Sequence, residues 1–357
     1  MNRRALNRAT LERQWLLRRH SRTAVETIEH LVGMQAQNPL DPYYGLAARL
    51  ASFQPEELAR LLVERRVVRG QLLRGTIHLA TSDDWLGLRP IIEPVLARTF
   101  GSTQFAKDTA GVPIEDLLAF GRRLLEEEPR TRAELHPLLS QRWPKSVGPS
   151  LAQAVTYHLA VVQVTPRGVW GETGPARWTT TEAWLGHSPA QRGTVETLIL
   201  RYLAAFGPAS VPDMRVWSGL AGLREVVEEL RPRLKVFKAE SGTELFDLPD
   251  APRPDPDTPA PPRLLPEYDN LLLSHQDRSR FFLDDVVPPG WAGNVMVDGF
   301  YAGHWRPPHR QHGKTRLAVS VRELPRQQLV ELNFEVQAML KLVAPDSGDD
   351  DIRLINP

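Results

Sequence analysis

The chain has 357 residues, enough for two to four compact units, and 41% of them are hydrophobic, which suffices for a sizeable core. Lys and Arg (44) nearly cancel Asp and Glu (43), and the net charge of +1 argues against a general polyanion binder while leaving room for a local basic face. There is no cysteine, so disulfides, thiolate zinc sites, iron–sulfur clusters and a Cys nucleophile are excluded; no apolar run of about 18 residues and no apolar leader in MNRRALNRATLERQW point to a cytoplasmic protein that does not span a membrane.

The charge is uneven along the chain. Residues 1–100 hold 15 Arg and no Lys against 10 carboxylates, only six of the 44 basic residues are Lys, and Asp346, Asp349, Asp350 and Asp351 make an acidic tail. Arginine suits phosphate forks and groove insertion, although a GC-rich genome produces the same bias.

Residues 7–20 carry an amphipathic pattern (Leu11, Trp15, Leu16) that predicts a helix. Thr23 with Glu26 three residues on reads as a capping box for the next helix, which runs to about Met34. Pro39 and Pro42 break that helix, and two more are expected near Tyr44–Leu50 and Pro55–Arg65. VVRGQLLRGTIHLA then reads as two short strands. The outline of helices followed by a hairpin returns twice. Residues 114–128, a helix capped by Thr131 and Glu134, and Ser150–Leu159 lead to the strand–turn–strand of VVQVTPRGVWGETGPARWTTT. Residues 194–206, PASVPDMRVWSG and Leu220–Leu230 lead to LKVFKAESGTELFDLP, with its turn at residues 240–242. The repeat is one of fold rather than of sequence, at roughly 70–90 residues. Residues 250–263 are Pro-rich and acidic and read as a linker. Strand-like segments and a last amphipathic helix over 325–343 follow.

The expected fold is therefore α+β, mainly α: three tandem winged-helix units over 1–112, 113–187 and 188–249, a linker over 250–263, and a C-terminal α+β unit over 264–357. Such units place a helix in a groove of nucleic acid, or else serve protein contacts.

Several polar groups are candidates for a site. In an extended segment Gln35 and Gln37 point to one side; in a helix they would diverge by roughly 200°. Pro39 pushes Asn38 out of helical geometry, so an extended exit would set two neutral amides side by side; two polar residues at a helix C-terminus are the competing reading. Arg74, Thr76 and His78 alternate along LLRGTIHLA like one face of a half-buried strand, where a lone His is usually structural. Asp269, Asn270, Ser274, His275, Asp277 and Arg278 form a dense polar cluster, and Asp269 and Asn270 read as a turn network satisfying buried backbone. Ser274, His275 and Asp277 do not make a nucleophilic triad, because adjacent residues rarely face one another and no nucleophile elbow is present. HWRPPHRQHGKTR (304–316) lacks the carboxylates or thiolates that would accompany its three His in a metal site. It reads either as a basic hairpin tip reaching phosphate or as a solvated turn.

Taken in order, MQAQNPLDPYYGLAARL, LLRGTIHLA, WGETGPARW, LLPEYDNLLLSHQDRSR and VMVDGFYAGHWR resemble the winged-helix DNA glycosylases of the AlkZ/YcaQ type over nearly the whole chain. The resemblance implies three tandem winged helices around a concave DNA-binding face, and hydrolysis of the N-glycosidic bond of N7-alkylated purines, interstrand crosslinks included. It implies a catalytic Gln-x-Gln or Gln-x-Asp motif; Gln35 and Gln37 match the AlkZ-like form. His309, Arg310, Lys314 and Arg316 become candidate DNA contacts, and Asn38, Arg74, Thr76, His78, His275 and Arg278 candidate support for the site. No cofactor and no metal are expected. No Lys occurs between residues 1 and 106, which disfavours Schiff-base lyase chemistry near the glutamines. The expected partner is double-stranded DNA carrying N7-alkylpurine lesions, and the expected state is a monomer, since no dimerisation helix is evident. A non-enzymatic winged-helix regulator is the alternative, separated by whether Gln35 and Gln37 catalyse.

Overall fold

The computed structural model describes residues 1–190, 192–283, 288–311, 314–345 and 352–355, without the side chains of 307–311, 314–316 and 352–355. The first third contains helix α1 (Arg3–Arg13), α2 (Ala24–His30), strand β1 (Met34–Gln35), α3 (Asp41–Arg49), α4 (Pro55–Val63) and β2 (Val67–Gln71). A single 3-10 turn (Leu73–Gly75), β3 (Ile77–Thr81), α5 (Ser82–Gly101) and α6 (Gln104–Asp108) complete it. Helix α2 begins at the expected capping box of Thr23 and Glu26. Helix α1 stops well short of residue 20. Trp15 turns to φ 58° and its ring stacks between His20 and His30, at 5.0 and 4.5 Å. Residues 82–101, to which the sequence pattern assigned no element, form a 20-residue helix despite Pro90 and Pro94. Thr81 caps it, Asp83 and Asp84 favour its first turn, and it buries Trp85, Leu88, Ile92 and Val95 along one stripe.

The next segment holds α7 (Ile114–Glu127), α8 (Arg132–Arg142), α9 (Gly148–His158), β4 (Val161–Gln163), β5 (Trp178–Thr180) and the short α10 (Thr181–Leu185). It is followed by α11 (Val195–Phe206), α12 (Val211–Ser218), α13 (Leu223–Leu230) and the hairpin β6 (Lys235–Lys238)–β7 (Glu244–Asp247). The capping box at Thr131–Glu134 is formed as expected. Strands β4 and β5 do not stand apart as a separate hairpin. Strand β4 pairs antiparallel with β2, so five strands make one sheet in the order β1-β3-β2-β4-β5. At Gly70 the sheet admits the Trp85 ring, which would lie 2.3 Å from any added Cβ. One apolar cluster accordingly runs from Ile28 and Met34 through Leu117 and Leu135 to Val161 and Trp178. A second joins Trp85 and Ile92 to Tyr202, Phe206 and Trp217. The first crosses the sequence boundary at 112/113, and the second crosses both that boundary and 187/188.

The Pro-rich segment over 250–263 is bonded to α1. Its carbonyls, left without strand or helix partners, accept from the arginines of α1: Arg4 Nε to Pro256 O at 2.8 Å, Arg8 Nε to Thr258 O at 2.6 Å, Arg13 Nη2 to Pro252 O at 3.2 Å. Beyond it lie β8 (Arg263–Leu265), α14 (Asn270–Leu273), β9 (Gly293–Val297), β10 (Phe300–Gln311), β11 (Lys314–Val321), α15 (Arg326–Val343) and β12 (Ile352–Ile355). They form a second sheet, β12-β11-β10-β9-β8, on which α15 buries Leu332, Val336 and Met339 against Val295, Leu317 and Val319. The fold is thus mixed helix and sheet, with a helix-rich body. Among the described residues no helix is long and apolar enough to cross a membrane. Asp346 and Asp349–Asp351 lie outside them.

Candidate active site

Strand β1 is only two residues long, with Met34 opposite Leu79 and Gln35 opposite His78 on β3. The Ala36 N–H extends the pairing by donating to Ile77 O at 2.8 Å, and the chain bends at Gln37. Gln35 and Ala36 are extended, but the exit expected to be extended over 36–38 bends at Gln37 and Asn38, leaving Gln35 buried and Gln37 exposed. Two neighbours grip the segment by its backbone: Asn270 Nδ2 donates to Gly33 O at 2.8 Å, and Arg69 Nη2 donates to Ala36 O at 2.8 Å. Asn38 shapes the bend. Its Oδ1 accepts from Leu40 N at 3.1 Å and its carbonyl from Asp41 N at 3.2 Å, which leads the chain into α3.

The two glutamines are held differently. Gln35 is 7% exposed, and its Oε1 accepts from Arg74 Nη2 at 2.8 Å. Gln37 is exposed and makes no side-chain hydrogen bond among the described residues. Arg74 stands in the turn between β2 and β3 at φ 56°, and its other terminal nitrogen, Nη1, donates to Trp217 O at 2.8 Å in the last turn of α12. Close approach there requires Gly219, which closes α12 at φ 79°; a Cβ on it would meet Val95 Cγ1 at 2.8 Å. Burial draws the Arg74 guanidinium down to about 10, which leaves it charged at neutral pH.

Directly opposite Gln35 on the sheet, His78 is fully buried. Its Nδ1 lies 3.0 Å from Thr76 O, so that nitrogen carries the proton and donates it, and Nε2 has no partner among the described residues. Burial, and secondarily Arg74, draws His78 down to about 3, so it stays neutral. Thr76 is half-buried and donates to Leu73 O at 3.3 Å. The site thus combines two neutral amides and a neutral imidazole with an unneutralised cation.

His275 and Arg278 are placed elsewhere. His275 is buried between α11 and α14, its Nδ1 2.9 Å from Ser274 Oγ and its Nε2 2.8 Å from Arg280 Nη1. The same Nε2 also lies 3.0 Å from Phe206 O, an acceptor, and burial draws the ring down to about 3, which keeps it neutral. Arg280 also donates to Pro208 O and Thr10 Oγ1, both at 2.9 Å, which makes this a junction network. No hydrogen bond among the described residues joins His275 to either glutamine. Arg278 is exposed, 4.4 Å over the Phe282 ring. The turn-network reading of Asp269 and Asn270 holds: Asp269 accepts from Leu271 N at 2.9 Å and pairs with Arg49. His309 and Arg310 fall on β10, and Lys314 and Arg316 on β11 of the same hairpin, with His309 paired to Arg316; their side chains, and the whole of His312, lie outside the described residues.

Sequence reasoning missed Arg69, which is buried in VVRGQ and looks there like any strand residue, and Asp41. The Asp41 carboxyl is buried at the start of α3, and burial, with Glu267 and Asp269 nearby, pushes it up to about 7. The only signal for it was its place four residues after Gln37.

A family model described as DNA glycosylase AlkZ-like matches residues 28–342. A curated relative from Streptomyces sahachiroi, an interstrand DNA cross-link repair glycosylase, is 23% identical over 268 residues, which cover 67% of this chain and 64% of the relative. The solved structure of Streptomyces sahachiroi DNA glycosylase AlkZ is similar in fold, with a TM-score of 0.68 at 19% identity over 99% of this chain and 100% of that one. The chain belongs to the AlkZ-like DNA glycosylase family.

Proposed function

We propose that this protein is a monofunctional DNA glycosylase that hydrolyses the N-glycosidic bond of N7-alkylated purines in duplex DNA, bulky adducts and interstrand crosslinks from a DNA-alkylating natural product among them. The observation that carries the reading is the neutral amide of Gln35 on β1, beside a neutral His78 and a charged Arg74, with the exposed Gln37 two residues on. Alkylation at N7 makes the purine cationic. The C1′–N9 bond can then break with its electron pair cancelling that charge, so no general acid is required. Water adds to the oxocarbenium-like C1′ and releases a proton to solvent. What the protein must supply is preorganised dipoles and a placed water, which amides provide without ionising. Normal purines, which need protonation to leave, would be spared.

In this reading the three helix–turn–helix segments with their hairpins act as tandem winged-helix units forming an open surface. An open surface suits a crosslinked guanine, which its tether prevents from entering a closed pocket. His309, Arg310, Lys314 and Arg316 on the β10–β11 hairpin would contact the duplex. The protein acts as a monomer and as a repair or self-resistance enzyme. The test is incubation with a duplex bearing N7-methylguanine in the presence of a chelator. Free N7-methylguanine and an alkali-labile but intact strand are expected. No base release, release that depends on added zinc, or a borohydride-trapped covalent complex would each contradict it.

A further inference from the structure

We propose that Arg74 is a positioning residue that sets which end of the Gln35 amide faces the lesion; the inference rests on the glycosylase reading above. The argument starts from what a guanidinium can do. It has N–H donors and no acceptor, so the amide atom 2.8 Å from Arg74 Nη2 must be the oxygen of Gln35. The usual ambiguity between amide oxygen and nitrogen is therefore removed at this residue. The opposite end, Nε2, has no hydrogen-bond partner among the described residues but keeps contact with solvent, although Gln35 as a whole is 7% exposed. Gln35 thus turns its acceptor inward and its two donors outward.

Arg74 is itself held for this task. Nη1 is fixed by the carbonyl of Trp217 at 2.8 Å, where the unpaired carbonyls at the end of α12 attract a cation. The residue adopts a left-handed backbone (φ 56°), which aims the side chain from the hairpin tip across to α12. No carboxylate of the described residues pairs with it, so the amide oxygen and the helix end are its acceptors. A carboxylate in either place would neutralise the cation and compete for Nη2.

The consequence is a division of labour between the glutamines. Gln35 offers N–H donors, which suit the purine as it gains electron density on leaving, or a phosphate oxygen beside it. Gln37 is exposed and free to offer its carbonyl to the water and the sugar cation.

A double-mutant cycle on single-turnover excision of N7-methylguanine tests this. Arg74→Met should slow excision by roughly tenfold or more in the wild-type background, with DNA affinity held within about twofold. In a Gln35→Ala background it should cost less than about twofold, because the amide it positions is gone. Gln35→Glu keeps an acceptor for Arg74 but has no N–H, and should be as slow as Gln35→Ala. If Arg74→Met melts early, Arg74→Lys, which keeps the charge but replaces the two-nitrogen fork with a single ammonium nitrogen, carries the same cycle. An equal loss from Arg74→Met in both backgrounds, a loss confined to affinity, or a Gln35→Glu variant as fast as wild type would overturn the inference. A Gln35→Ala variant at wild-type rate would instead overturn the glycosylase reading of the glutamines.

Discussion

The arginines that bridge distant segments and the arginines around the Gln-Ala-Gln segment are each a mixture of buried and half-buried groups, but they are differently neutralised. Arg13, Arg49 and Arg19 each meet a carboxylate, whereas Arg280 is held by a carbonyl, a hydroxyl and an imidazole. Arg13 makes a two-pronged pair with Asp247 at 2.6 and 2.9 Å, Arg49 does the same with Asp269 at 2.9 and 2.8 Å, and Arg19 grips Glu335 at 2.7 Å. Around β1, Arg69 donates to the Ala36 carbonyl, and Arg74 to the Gln35 amide and the Trp217 carbonyl. Burial draws both down to about 10, and neither has a paired anion among the described residues. Around β1 the arginines are held by carbonyl and amide oxygens instead of carboxylates, as Arg89 is by the carbonyls at the end of α9. Neutralising Arg69 or Arg74 with Asp or Glu would add local stability and repel DNA at the candidate chemistry.

The largest expected effect lies on the paired side. Arg49→Met strands Asp269 in the interior, and breaking a buried pair costs about 3–5 kcal/mol. Chemical denaturation should show a marked loss, and Arg49→Met with Asp269→Asn should recover part of it, since the second change removes the stranded charge. If Arg74→Met, on the unpaired side, destabilised as much, the distinction between the two classes would fail.

A smaller effect is expected at Asp41, the anion without a cation. Its carboxyl is pushed up to about 7 from an ordinary 3.8, first by burial and then by Glu267 and Asp269, with Arg69 and the Tyr268 N–H opposing. Between those values the folded chain holds a proton that the unfolded chain has lost. Stability therefore falls as pH rises from about 4 to about 7 and levels off above. Asp41→Asn should melt roughly 2–4 °C higher than wild type at pH 8 and show little gain at pH 5. An equal gain at both values would mean that ionisation of Asp41 costs the fold nothing.

The sequence disclosed these regions unevenly. Helices with local signals were legible: Thr23 with Glu26 and Thr131 with Glu134 mark helix starts that the structure confirms. The extended exit over 36–38 was read from Pro39, which restricts only Asn38; the structure is extended at Gln35 and Ala36 and bends at Gln37 and Asn38. What was not legible depended on partners far along the chain. Helix α5 carries two prolines that read as breakers, and it forms because Trp85 and Ile92 bury against α11–α13. The β4–β5 strands join β2 across some 90 residues, and no local period announces an edge-to-edge pairing. His275 looked like site support because polar residues crowd around it, but its partners, Arg280 and Phe206, make it a junction residue. Arg74 was visible as a polar position on a strand; that it reaches both Gln35 and α12 follows only from the turn that carries it.

The central claim is that Gln35 and Gln37 carry the chemistry and contribute little to folding or ground-state binding. Single-turnover release of N7-methylguanine by Gln35→Ala and Gln37→Ala, alongside DNA binding and thermal melts, tests it most directly. Losing one preorganised polar group in a transition state costs on the order of 3 kcal/mol, so each variant should be slower by about a hundredfold or more with affinity and melting nearly unchanged. Properly folded alanine variants that release the base at the wild-type rate would contradict the account.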